Sequence, residues 1–145
     1  MDKFPKILQD LINEKQITVK QLQEHLNLSN VSQIYMWLRG KKGINLDHAI
    51  ALANYFDCSL DYLMGKKEFD DENLQFKPCP PFGEQLKKVL KEKNVSQYKL
   101  TRETNFKGGH IYKWMICKST PQMTSVIALA DYLHVTIDYL VGREL

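Results

Sequence analysis

The sequence predicts an all-α protein made of two five-helix units in tandem. The first observation behind this is that its second half repeats its first. Phe82 to Leu145 lies over Phe4 to Lys67 with one single-residue gap, and roughly 19 of about 62 aligned positions are identical. Ile34-Tyr35-Met36-Trp37 answers Ile111-Tyr112-Lys113-Trp114, and Asp61-Tyr62-Leu63-Met64-Gly65 answers Asp138-Tyr139-Leu140-Val141-Gly142. The second observation is periodicity: apolar residues recur three and four apart, and no segment alternates convincingly at period two. Two copies are too few to share a solenoid core, so each is expected to be complete in itself. The expected limits are residues 1–65, a linker at 66–81, and residues 82–145.

In the first copy, Leu8, Leu11, Ile12 and Lys15 place an amphipathic helix over residues 4–15, with a break at Gln16-Ile17. Thr18 and Gln21 form a capping box for a second helix that buries Leu22 and Leu26. Asn27 tolerates the left-handed conformation that ends it, and Leu28 is expected as a buried anchor in the turn. A third helix is expected to begin near Ser29 or Asn30 and to turn Ile34 and Trp37 inward. Gly40 and Gly43 flank a basic loop. Asn45 caps a fourth helix carrying Leu46, Ile50 and Ala53; Ser59 caps a short fifth with Leu60 and Leu63, which Gly65 ends. Asp61 sits in that helix's first turn, where its charge suits the dipole.

The second copy runs in parallel through Leu86, Val89 and Leu90, the cap Ser96, then Leu100, Phe106, Ile111 and Trp114. Pro121 stands before or at the start of its fourth helix, followed by Met123, Ile127, Ala130, Ile137 and Leu140. The stretch 66–81 is acidic early and proline-rich late, as befits a linker with a stiff end.

Composition narrows the function classes. The chain has 145 residues, 43% apolar and 26% charged, an ordinary globular balance. No apolar run approaches the ~20 residues that span a bilayer, and the first residues do not begin a signal peptide. Three cysteines without a CxxC pair point to a reducing cytoplasm. Charge is uneven: residues 1–65 carry 7 basic and 7 acidic side chains, and residues 82–145 carry 10 and 6. A polyanionic partner is allowed, and the second copy is electrostatically the better candidate. His25, His48, His110 and His134 are scattered without metal-ligand spacing, and no catalytic constellation or phosphate loop is present. No enzyme, metal site or cofactor is expected.

A helix, a short turn with Asn or a small residue, a buried turn anchor and a second helix make the helix-turn-helix plan. Both copies resemble the DNA-binding domain of phage repressor, Cro and Xre-type regulators. The residues that carry the resemblance are Leu22, Leu26, Leu28, Ile34, Trp37, Arg39-Gly40-Lys41, Ile50, Ala53 and Leu60-Asp61-Tyr62-Leu63 in the first copy. In the second they are Gln97, Leu100, Phe106, Ile111, Trp114, Ile127, Ala130 and Ile137-Asp138-Tyr139-Leu140.

The resemblance implies a lambda-repressor-like fold twice over and a double-stranded DNA partner, with the third helix in the major groove. The first copy's base readers would be Ser29, Asn30, Val31, Ser32, Gln33 and Met36, with Arg39, Lys41 and Lys42 on the backbone. Two departures stand out there: one extra residue between Leu28 and Ile34, and Val19 where a Gln usually meets phosphate. The second copy keeps the usual spacing and has Gln97 at the phosphate position. Its readers would be Lys107, Gly108, Gly109, His110 and Lys113, with Lys118 in the loop. Adjacent glycines supply no side chains; they either let the backbone approach a phosphate or mark a turn that has lost its reading function. Ile116 and Cys117 replace a polar residue and a glycine of the usual loop.

The resulting expectation is a cytoplasmic, sequence-specific transcriptional regulator, such as a repressor of phage or mobile-element origin. A flexible 16-residue linker would span roughly 20–24 Å r.m.s. and about 55 Å at full stretch; with successive half-sites about 34 Å apart, simultaneous engagement is feasible but not compelled. The rival is a protein-binding module, an inhibitor or antitoxin that reuses the fold. A mixed form has the first copy on DNA and the second making a homodimer or holding a protein partner.

Overall fold

A computed structural model describes residues 2–145. Ten α-helices and no β-strand are found among the described residues. The chain divides into two compact units between Leu74 and Gln75, with Gln122–Thr124 grouped with the first.

The first unit contains α1 (Phe4–Lys15), α2 (Val19–His25), α3 (Ser32–Leu38), α4 (Leu46–Phe56) and α5 (Leu60–Leu63). Local chemistry sets each boundary. Pro5 stands in the first turn of α1, and Gln16 ends it in the left-handed conformation, φ 55°. At α2 both arms of the Thr18/Gln21 capping box are made, at 3.0 and 2.9 Å. Asn45 and Ser59 cap α4 and α5 through the amides of His48 and Tyr62. The core is Phe4, Leu8, Leu22, Ile34, Trp37, Leu52, Leu60 and Leu63, all nearly sealed from solvent. Leu26, Leu28 and Ile50 are half-buried rather than buried. On α4, Leu46 and Ala53 are buried as their spacing implied, and Ala49 and Leu52 join them on the inward face.

The second unit contains α6 (Phe82–Glu92), α7 (Gln97–Glu103), α8 (Gly108–Met115), α9 (Met123–Leu133) and α10 (Ile137–Val141). Ser96 and Thr136 cap α7 and α10 as Thr18 and Ser59 do in the first. The pattern of α4 recurs on α9, where Met123 and Ala130 are buried as expected, Val126 and Leu129 join them, and Ile127 is half-buried. Phe106 is half-buried too, edge-on to Trp114 at 5.4 Å between centroids. Gly83 lets α6 approach the end of α8, because a Cβ there would overlap the carbonyl oxygens of Trp114 and Met115.

Left-handed residues fall in equivalent pairs: Gln16 and Asn94, Gly40 and Cys117, Asp57 and His134, Gly65 and Gly142. Asn27, φ 58°, has no left-handed counterpart in the second unit. It lies just ahead of the stretch where the two copies differ in length. In the second unit the turn is instead built on Thr104, extended at φ −126°, whose hydroxyl donates to Leu100 O and accepts from Phe106 N–H.

The expected linker is tethered at several places. Asp70 accepts from Ser59 N–H at 2.8 Å and from Ser59 Oγ at 2.6 Å, which holds it to the first unit. Phe76 pairs with Glu144 in an isolated antiparallel bridge, and Lys77 N–H donates to Arg143 O at 2.9 Å. Five residues, 71–75, lie between these tethers, so random-coil dimensions for all of 66–81 do not apply.

Candidate nucleic-acid interface

In the first unit, α3 begins at Ser32, two to three residues later than its sequence pattern implies. The reason is an Asx turn: Asn30 Oδ1 accepts from Ser32 N–H at 2.9 Å, which keeps Ser29 and Asn30 in the turn ahead of the helix. Ser29 and Asn30 are exposed there and Val31 is half-buried. The turn itself is closed by Leu28 N–H on Gln23 O at 3.1 Å and by the Gln23 side-chain amide on Leu28 O.

Ile34 and Trp37 face the core, which aims the opposite side of α3 outward. That side carries Ser32, Tyr35 and Met36, all exposed, with Gln33 half-buried on the flank. At the far end the Arg39 guanidinium lies over the Tyr35 ring, 5.7 Å from its centroid. This stacking holds the cation one helical turn from the reader positions. Gly40 takes φ 67° to end the helix, and Lys41 N–H closes back on Met36 O at 2.9 Å. Arg39, Lys41 and Lys42 are all exposed around that reversal.

In the second unit Gln97 opens α7 and is half-buried, with its carbonyl accepting from the Thr101 hydroxyl at 2.9 Å. Lys107 stands at the N-cap of α8 without a side-chain cap bond. Gly108 and Gly109 follow as the first two helical residues, whose amides have no partner within a helix. A Cβ on Gly109 would meet nothing within 4 Å, and one on Gly108 would make ordinary contact with Thr101 at 3.7 Å. Packing within the unit therefore does not require glycine at either place. His110, Lys113 and Lys118 are exposed, and Lys118 N–H closes on Lys113 O at 2.8 Å. Lys87, Lys88, Lys91 and Lys93 are exposed on or just after α6.

Part of each sequence-derived set lies on the third helix and the loop that follows; Ser29, Asn30 and Val31 stay in the turn ahead of α3, and Gln97 lies on α7. The two sets are not equivalent. The first is polar and ends in a stacked arginine; the second is glycine-rich at its start and ends in Ile116, at the position of Arg39.

Sequence reasoning missed one charged cluster. Asp138 and Arg143 form an ion pair at 2.8 Å with both side chains buried. The guanidinium also lies 3.8 Å from the Phe76 ring centroid. The repeated Asp-Tyr-Leu-X-Gly-Lys/Arg pattern carried the signal, because it sets a cation five residues after the acid in both copies.

Two family models match the chain. A helix-turn-helix model covers residues 8–63, and a Cro/C1-type HTH DNA-binding domain model covers residues 85–144. Comparison with curated proteins and with solved structures gives no match.

Proposed function

Because the chain belongs to the Cro/C1-type helix-turn-helix family through both of its halves, we propose that it is a sequence-specific regulator of transcription acting on double-stranded DNA. The observation that carries this reading is the outward face of α3. It sets Ser32, Gln33 and Met36 ahead of Arg39, Lys41 and Lys42, so side chains suited to base edges adjoin cations suited to phosphates. Gln33 is suited to a bidentate pair with adenine. Asn30 already uses its carboxamide oxygen in the turn, so it contributes order to the reading head more than contact. In the second unit, Lys107, Lys113 and Lys118 with the open amides of Gly108 and Gly109 suit backbone contact better than base reading.

A mixed reading is favoured by one further observation: just after α8, Ile116 is exposed at the position where the first unit carries Arg39. In that form the first unit supplies specificity and the second supplies an interface.

The test is selection of bound sequences from random duplex DNA by the intact chain, followed by titrations at several salt concentrations. The expected result is enrichment of one sequence, with log affinity falling against log salt by roughly 0.9 per phosphate contact. No enrichment, together with tight capture of a protein partner, would transfer the chain to the inhibitor class.

A further inference from the structure

The two units differ in a pair of residues one turn apart on the outward face of the third helix and its C-cap. On α3 that pair is Tyr35 and Arg39, with the guanidinium over the ring. On α8 it is Tyr112 and Ile116, 54% and 44% exposed. Two adjacent large apolar side chains in solvent are a stronger signal than scattered ones. Lys113 beside them and Lys118 in the following loop are exposed and basic. A face of this kind fits an acidic segment with an aromatic ring at its centre.

The chain itself carries such a segment, Glu68-Phe69-Asp70-Asp71-Glu72. Phe69 is 80% exposed, above every other large apolar side chain among the described residues. Its neighbour Asp70 is fixed by the two bonds from Ser59 and lies 3.6 Å from Lys67. The backbone is therefore pinned beside Phe69, and less ordering entropy remains to be lost when the ring docks. Glu68, Asp71 and Glu72 are exposed around it.

We infer that the outward face of α8 in one copy receives the Phe69 segment of a second copy, and the reverse, so that two chains close into a dimer. Each chain carries both the segment and the face, so exchange between two copies can be reciprocal; a one-way contact would instead run on into larger species, which sedimentation separates from a dimer. The Phe69 ring lies against Tyr112 and Ile116, and the flanking carboxylates face Lys113 and Lys118. Two small junctions give weak, salt-sensitive association. The dimer does not require the DNA-binding reading to hold, because it forms without DNA.

Sedimentation velocity of the full chain over a concentration series tests it. A monomer–dimer equilibrium is expected, weakened about tenfold or more as salt rises from about 50 to about 500 mM. Phe69→Ala and Ile116→Lys should each weaken dimerisation by about tenfold or more, with Ile116→Ser as the second choice if the lysine variant does not fold. Mixing the Phe69→Ala and Ile116→Lys chains should restore association that neither shows alone, because one intact junction forms between them. A chain that stays monomeric at every concentration overturns the inference, whether its segment is idle or docked within the same chain. A dimer indifferent to Phe69→Ala overturns it as well.

Discussion

The Asp138 carboxylate meets the Arg143 guanidinium at 2.8 Å, with both side chains sealed from solvent. Removing one partner strands the other charge, whereas removing both strands none. Arg143→Met is therefore expected to destabilise the second unit by about 3–5 kcal/mol, and Asp138→Leu with Arg143→Met by much less. Hydrogen exchange at the Leu86, Val89 and Leu90 amides, read in each variant, measures the difference. Equal losses in the single and joint variants would mean that packing on Phe76, not stranded charge, sets the cost.

Cys117 adopts φ 59° where its counterpart Gly40 adopts φ 67°. A side chain in that region costs roughly 1–2 kcal/mol that glycine avoids. Cys117→Gly should stabilise the second unit by about 1 kcal/mol, and Gly40→Ala should destabilise the first by a similar amount. The Cβ added at Gly40 would meet only Pro5 Cγ at an ordinary 3.6 Å, so the penalty there is conformational. Thermal melts of the two variants should move in opposite directions.

Most of the fold was legible because its signals are local. Caps at Thr18, Ser59 and Ser96, and reversals at Asn27 and Gly65, follow from the chemistry of single residues and their near neighbours. What escaped depended on distance or on competition. The start of α3 turned on whether Asn30 would bond forward to Ser32, which a helix pattern does not reveal. Ile50 and Ile127 looked like core residues because they are identical in the two copies. Leu46, Ala53, Met123 and Ala130 are buried as their spacing implied, Ala49 and Val126 are buried beside them, and Ile50 and Ile127 fall at the edge of the buried face. Pairs such as His25 with Tyr55, and Glu103 with Tyr132, join equivalent positions by different chemistry: a tilted ring contact at 4.2 Å between centroids in one unit and a hydrogen bond at 2.7 Å in the other. Aligning the copies shows that both positions matter but not that they touch.

Gly109 offers a direct test of why the second reading head is glycine-rich. Nothing surrounds the missing Cβ, and glycine within a helix costs about 0.5–1 kcal/mol against alanine. Gly109→Ala should raise the second unit's stability by that amount, a shift of roughly 3–6 °C in its melting midpoint. If the melt falls instead, the glycine serves the fold and not an approaching partner.

The Tyr132 hydroxyl donates to Glu103 and holds that carboxyl below its ordinary value, while the same bond pushes the phenol of Tyr132 up. A depressed carboxylate stabilises the fold above its unfolded-state value, and the contribution is lost as pH falls through the folded value. In Tyr132→Phe the titration of Glu103, followed by carboxyl carbon NMR shifts, should move up toward the usual glutamate range. An unchanged midpoint would assign the depression to Lys99 and Arg102.

The last prediction separates order from reading in the first unit. Asn30 and Gln33 are both uncharged amides, but Asn30 Oδ1 is bonded to Ser32 N–H and Gln33 lies on the flank of α3. Asn30→Ala removes a start signal and should cost the first unit about 0.5–2 kcal/mol of stability. Its effect on DNA should be a similar loss on target and scrambled duplexes, because a frayed helix start weakens every contact that follows. Gln33→Ala should leave stability within about 0.5 kcal/mol and lower target-over-scrambled discrimination by about 1–3 kcal/mol. Neither change alters net charge, so the salt slope should hold for both. Paired thermal melts and binding titrations on the two variants decide the matter. If Asn30→Ala lowers discrimination at unchanged stability, its carboxamide leaves the turn to meet a base, and the division of labour proposed for α3 is wrong.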